Sequence, residues 1–205
     1  FIAGSPEDLD GDSGDRLRAY QAAVQIHGLL DDARLVAYGR HVAATGYTAM
    51  REILASGALF SAVLASNDES ALGAIQALAE AGYRIPQDVA VIGFDDRPES
   101  AVQTPALSSV RVPLFRMGYR AVELLIQGIN GEALPSEPIR IPARLIPRES
   151  CGCGREPGRA GVPASAVRRA AVDVEPGRWD IVPTMTAAVL AGTQGAVEAA
   201  VEASC

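Results

Sequence analysis

The sequence predicts an α/β fold in which a parallel β-sheet is flanked by helices, followed by a mainly helical or flexible C-terminal tail. Three observations carry this expectation. Across residues 1–150, apolar runs of strand length alternate with amphipathic stretches of helix length. Two of the runs, Ala62-Val63-Leu64-Ala65 and Val89-Ala90-Val91-Ile92-Gly93-Phe94, are apolar throughout, as in strands covered on both faces. Strands that alternate with helices imply right-handed β-α-β units, and these build parallel sheets.

Each element has its own signal. Phe1-Ile2-Ala3 reads as the end of a strand, stopped by Gly4-Ser5-Pro6. Asp12 to His27 carries Leu17, Tyr20, Ala23, Val24 and His27 at helical spacing, with Gly28 as the stop. Arg34 to Tyr38 is a short strand. Thr45 to Ser56 is a second helix, ended by Gly57. After the Ala62–Ala65 strand, Asp68 to Ala81 forms a third helix, with Asn67 or Asp68 as N-cap and Gly82 beyond its end. The Val89–Phe94 strand leads to a loop, Arg97 to Thr104. Ser108 to Val112 is a strand, and Leu114 to Ile129 an amphipathic helix that closes at Asn130-Gly131. Ile139 to Ile146 alternates with period two, and Pro142 and Pro147 assign it to a sheet edge.

The texture changes after residue 150, so the chain divides into 1–150 and a tail, 151–205. Cys151-Gly152-Cys153-Gly154 and Pro157-Gly158 form a joint. Helices are expected at 163–171 and 184–203. The three cysteines lie late and do not suggest a disulfide framework. Cys-x-Cys is too tight for a usual zinc pair, and no metal or other cofactor is expected.

Composition excludes several chemistries. All 18 basic residues are arginine, against 25 acidic residues, for a formal charge of −7. A Walker-type phosphate loop and Schiff-base catalysis both need a lysine. An acidic, lysine-free chain is also poorly suited to wrapping nucleic acid. No G-x-S-x-G elbow or H-E-x-x-H motif is present, and two histidines leave little for acid–base work. A catalytic role is therefore not expected. No apolar run is long enough to span a bilayer, and no basic-then-apolar leader opens the chain, which points to a cytoplasmic protein without membrane contact. Residue 1 is Phe, so an upstream part is expected to be missing.

Open parallel sheets bind ligands beyond the carboxyl ends of their strands. Arg16, His41, Asn67 and Asp95 all follow strands and converge on that edge. Arginine donates in a fixed fork, aspartate accepts from paired hydroxyls, and asparagine does both, a set suited to a polyhydroxylated ligand. Each residue also has a plainer reading. Arg16 suits a solvated helix face and Asn67 a helix cap. His41 suits surface packing, and Asp95-Asp96 a turn.

Several stretches, in this order, resemble the LacI/GalR-type regulators. They are Phe1-Ile2-Ala3-Gly4, Arg16 to Ala23, Thr45-Gly46-Tyr47, Ala65-Ser66-Asn67-Asp68 through Gly73-Ala74, and Pro86 to Asp96. Thr104 to Val110, Met117-Gly118 and Arg148-Glu149-Ser150-Cys151 complete the series. The resemblance covers about 150 residues, the second half of that family's two-lobed, periplasmic-binding-protein-like effector domain. It implies ligand contacts by Arg16, Asn67 and Asp95, with His41 where the family carries an aromatic that packs on the ligand. It also implies a homodimer and a small effector, a sugar or nucleoside-like molecule. DNA would be bound only through a segment absent from this sequence, its affinity controlled by ligand-driven lobe closure. A sensor module of a multidomain signalling protein and a sugar transporter's solute-binding protein share the fold and are the alternatives. In the two-lobed fold Ser108–Val112 becomes the last crossover, and the Leu114–Ile129 helix and the strand from Ile139 belong to the first lobe. The apolar face of that helix would then lack its partner, leaving it to an upstream lobe, a partner chain or the tail to cover it.

Overall fold

The computed structural model describes residues 1–8 and 10–153. The helices expected at 163–171 and 184–203 lie outside the described residues.

Six strands, β1 (Ile2–Ala3), β2 (Ala37–Tyr38), β3 (Ala62–Leu64), β4 (Ala90–Phe94), β5 (Ser108–Arg111) and β6 (Arg144–Ile146), alternate with five helices. The helices are α1 (Asp12–Ile26), α2 (Ala43–Ala55), α3 (Asp68–Glu80), α4 (Pro98–Val102) and α5 (Leu114–Ile129). β1 pairs in parallel with β2, and β3, β4 and β5 form a parallel ladder. The two groups join at a parallel bridge between Ile2 and Ala65, where the Ser66 N–H donates to the Ile2 carbonyl at 2.8 Å. The resulting order is β2-β1-β3-β4-β5-β6, the doubly wound pattern that the alternating elements predict.

Alternate residues of the buried strands feed two cores. On one face Ile2, Val63, Val91 and Leu107 meet Met50 and Ile53 of α2 and Ala74 and Leu78 of α3. On the other, Ala3, Leu64, Ile92, Phe94 and Val110 meet Tyr20 and Val24 of α1. Each large side chain buried in this way contributes roughly 1.5–3 kcal/mol. Helices α2 and α3 cross so closely that a Cβ on Gly46 would lie 2.5 Å from the Ser70 Cα.

Several boundaries differ from expectation. The Arg34–Tyr38 strand shrinks to Ala37–Tyr38, because the Asp32 carboxylate accepts from the Arg34 N–H at 2.9 Å and folds residues 33–35 into a 3₁₀ turn. The loop 97–104 contains α4, with Pro98 in its first turn. His27 is the exposed C-cap of α1 rather than a member of its apolar face. The strand expected over Ile139–Ile146 is confined to Arg144–Ile146, since Pro142 has no N–H to give a ladder. Its edge position holds, but it pairs antiparallel with β5 and so belongs to this sheet, not to another lobe. β5 is likewise an interior strand of the sheet. Cys151 and Cys153 form a disulfide with Cα atoms 5.3 Å apart, a single pairing that the sequence does not announce.

Helix α5 follows its predicted limits and has no buried residue. Phe115 is 85% exposed and Ile129 83%. Its apolar face is uncovered by the described residues, as the sequence pattern requires when the matching sheet is not among them.

Candidate functional site

The strand order changes direction between β1 and β3. Connections leave this point toward opposite faces, which opens a crevice at the carboxyl ends of the strands. α1 departs on one face and α3 on the other, and the four residues singled out from the sequence meet there.

Arg16 lies one turn into α1 and is only 8% exposed. Its guanidinium donates from Nη1 to the Ser66 carbonyl at 2.6 Å and from Nη2 to Asp12 at 2.7 Å, and its Cζ stands 4.0 Å from the centre of the Phe94 ring. Phe94 thus supplies a cation–π floor. The solvated reading of Arg16 is overturned by this burial. Arg16 Nε and Ser66 Oγ are buried without a hydrogen-bond partner among the described residues. Such orphans are rare, because each forfeits its hydration without compensation.

Asn67 does cap α3: its Oδ1 accepts from the Ser70 N–H at 3.0 Å. Its Nδ2 donates to the His41 carbonyl at 3.0 Å, which ties the loop after β3 to the loop after β2. His41 Nε2 lies 2.9 Å from Ser13 Oγ. Withdrawal from water and then the Arg16 charge push the imidazole below its ordinary pKa, while Asp12 and Asp8 oppose the shift.

Asp95 and Asp96 diverge. The Asp95 carboxylate accepts no hydrogen bond among the described residues. Desolvation raises its pKa to about 6, helped by Asp68 and Asp12 and resisted by Arg16. The Asp96 side chain is 2% exposed and paired with Arg111 and, at 2.5 Å, with Arg148. Asp96 is therefore a structural anchor, while Asp95 stands open toward the crevice.

Four described non-glycine residues have positive φ: Arg40 (49°), His41 (61°), Asp95 (103°) and Asp96 (57°). They form two pairs, directly after β2 and β4, at the rim of the crevice. Backbone strain tends to collect where a site over-determines its geometry.

Sequence reasoning missed the supporting residues. Asp12 and Ser13 stood inside the predicted first helix and Ser66 inside a motif, none with a signal of its own. Asp68 is fully buried and accepts from Ser100 Oγ at 2.6 Å, Ser109 Oγ at 2.5 Å and the Arg97 N–H at 2.8 Å. Among the described residues no group of three or more His, Cys, Asp or Glu side chains is placed to hold a metal.

Residues 1–151 match the family model of the periplasmic binding protein-like domain. The HTH-type transcriptional regulator AscG of Escherichia coli is 38% identical over 150 residues, covering 73% of this chain and 44% of AscG. The chain belongs to the LacI/GalR family. The LacI-family sugar-binding regulator of Escherichia coli, solved in complex with phosphate, superposes with a TM-score of 0.68 at 37% identity, over 73% of this chain and 53% of that one. The regulator CelR, solved in complex with cellobiose, gives 0.65 at 34% identity, over 73% of this chain and 45% of that one. The chain thus spans about half the length of each of these three proteins. Among the described residues no helix is long and apolar enough to cross a membrane.

Proposed function

We propose that this LacI/GalR chain is the effector-sensing part of a cytoplasmic transcriptional regulator and that its crevice binds a small polyhydroxylated molecule, a sugar in the first instance. The observation that carries the reading is the convergence of Arg16, His41, Asn67 and Asp95 on the β1/β3 switch point, with two buried polar atoms left unpaired beside them. Arg16 Nε is a donor in need of an acceptor, and Ser66 Oγ serves as either. The Asp95 carboxylate is free to accept from a hydroxyl pair. Asn67 already spends its carbonyl on α3 and one amide proton on His41, so it has one proton left for a ligand. Such a set orients hydroxyls without any group arranged to break a bond, which favours sensing over catalysis.

The regulator would bind its effector between this half and a second lobe. Closure would shift the geometry of a homodimer and, through it, of upstream DNA-binding segments. The acidic balance of this part supports that division of labour, since DNA contact would fall elsewhere. The test is a calorimetric titration of the chain with cellobiose, galactose, ribose and a purine nucleoside. Binding by one of them that Arg16→Ala abolishes supports the reading. Binding that survives Arg16→Ala and Asp95→Ala together would locate the site elsewhere, and no binding by any member of the panel counts against sensing by this part.

A further inference from the structure

His41 is held from three sides. Its ring nitrogen Nε2 lies 2.9 Å from the hydroxyl of Ser13, on the first turn of α1. Its carbonyl accepts from the amide of Asn67 at 3.0 Å. Its ring lies over the backbone of Gly4, where an added Cβ would come 2.5 Å from Nε2 and would also overlap Ser13 Oγ. Ser13 is 3% exposed, so its hydroxyl has little water to turn to. The backbone of His41 is left-handed, with φ of 61°, a conformation that a non-glycine residue keeps only under such restraint.

We propose that Ser13 is a positioning residue: its hydroxyl fixes the orientation of the His41 ring, so that the ring offers its other nitrogen, Nδ1, to a hydroxyl of the effector. The inference rests on the effector reading for what Nδ1 meets, but not for the Ser13–His41 contact itself. A neutral imidazole has one donor and one acceptor nitrogen, and a hydroxyl can meet either, so Ser13 anchors Nε2 in both tautomers. Ser13 takes Nε2, and Nδ1 has no hydrogen bond among the described residues. The charged groups around the ring are Arg16 and Asp12 on α1 and Asp8 in the loop before it. Burial first and the Arg16 charge second disfavour a protonated ring here. Without the Ser13 hydroxyl the ring loses its anchor and turns toward water.

The chain has only two histidines, and His27 is exposed at the end of α1, so long-range ¹H–¹⁵N NMR of the imidazoles reads His41 without overlap. The full chain without effector should show a His41 Nε2 resonance displaced by its hydrogen bond to Ser13, and a titration below the ordinary imidazole range. In Ser13→Ala the Nε2 resonance should lose that displacement, and the titration midpoint should rise by about half a pH unit or more. Ser13→Thr, which keeps the hydroxyl, should restore the original spectrum. Gly4→Ala attacks the same contact from the other side and should reproduce the Ser13→Ala signature, which keeps the test open if Ser13→Ala does not fold. An unchanged Nε2 resonance and midpoint in Ser13→Ala, or in Gly4→Ala where that is the folded variant, overturns the proposal. Cellobiose and the other effector probes are then added to the same samples. A chain that keeps the Ser13–His41 contact but answers none of them overturns the role given to Nδ1 and the effector reading, while the positioning role of Ser13 stands.

Discussion

The backbone of Gly93, in the middle of β4, lies directly beneath the carboxylate of Asp68: a Cβ at Gly93 would overlap Asp68 Oδ1 and stand 3.2 Å from the Asp68 Cα. Asp68 is fully buried, and desolvation raises its pKa despite three donors. The carboxylate has no room to retreat, because Ser100, Ser109 and the Arg97 N–H hold it in place. Gly93→Ala should therefore destabilise the fold by about 2–4 kcal/mol, through overpacking and a disturbed buried network. Chemical denaturation measures this. If the clash is with the carboxylate, Gly93→Ala combined with Asp68→Ala should lose less than the sum of the two single losses.

Asp95 gives the folded protein a pH signature. Its pKa is about 6 in the folded chain against an ordinary 3.8. The folded state thus holds this proton more tightly than the unfolded state, so the ionised group opposes folding above about pH 6. That penalty fades as the pH falls from 6 toward 4 and is absent below. Asp95→Asn, which suits a positive φ equally well, should raise the melting temperature at pH 7.5 and leave it unchanged near pH 3.5. The residue as a whole is exposed and water screens much of the cost, so the gain should be about 1 kcal/mol or less. In the effector reading the same substitution weakens binding, and wild-type affinity falls as the pH drops through 6, where the carboxylate is lost as an acceptor.

Asp96 separates two arginines that look alike in the sequence. Arg148 has a 16% exposed side chain, pairs with Asp96 at 2.5 Å and donates to the Leu107 carbonyl at 2.7 Å. Arg111 reaches the same carboxylate from a side chain 57% exposed. Removing Arg148 uncovers a buried carboxylate and a buried carbonyl, so Arg148→Ala should cost about 3 kcal/mol. Arg111→Ala should cost about 1 kcal/mol or less. Equal losses in denaturant unfolding would show that Asp96 does not distinguish its two partners.

The legible part of this protein was the part written in periodicity. Met50, Ile53, Ala74 and Leu78 repeat at helical spacing, and the apolar runs of β3 and β4 announce burial on both faces, so sheet and helices could be placed to within a few residues. The four crevice residues were legible because the doubly wound fold puts the ends of its strands together. Their supports were not. Whether Asp95 or Asp96 is the buried one depends on two backbone turns with positive φ and on Arg148, which approaches from 52 residues away. That Gly93 belongs to Asp68, or Ser13 to His41, depends on contacts across elements that no local pattern encodes. The shortened β2 shows the reverse failure: the apolar pattern was real, but the Asp32 side chain captured the backbone first.

Helix α5 offers the last prediction. Its sequence has the strongest two-faced pattern among the described helices, yet none of its residues is buried. Leu114, Phe115, Tyr119, Val122, Leu125, Ile126 and Ile129 are all at least half exposed. The described residues leave the stripe uncovered, although its composition is that of a core-facing surface. Leu125→Ser with Ile129→Ser should leave the unfolding midpoint within about 0.5 kcal/mol of the parent, whereas a single Leu78→Ala in α3 should cost about 2–5 kcal/mol. The same double substitution should reduce any concentration-dependent association seen by sedimentation, because it removes apolar surface that water does not favour. A large loss of stability in the Leu125→Ser, Ile129→Ser variant would show that the stripe does belong to the folded core.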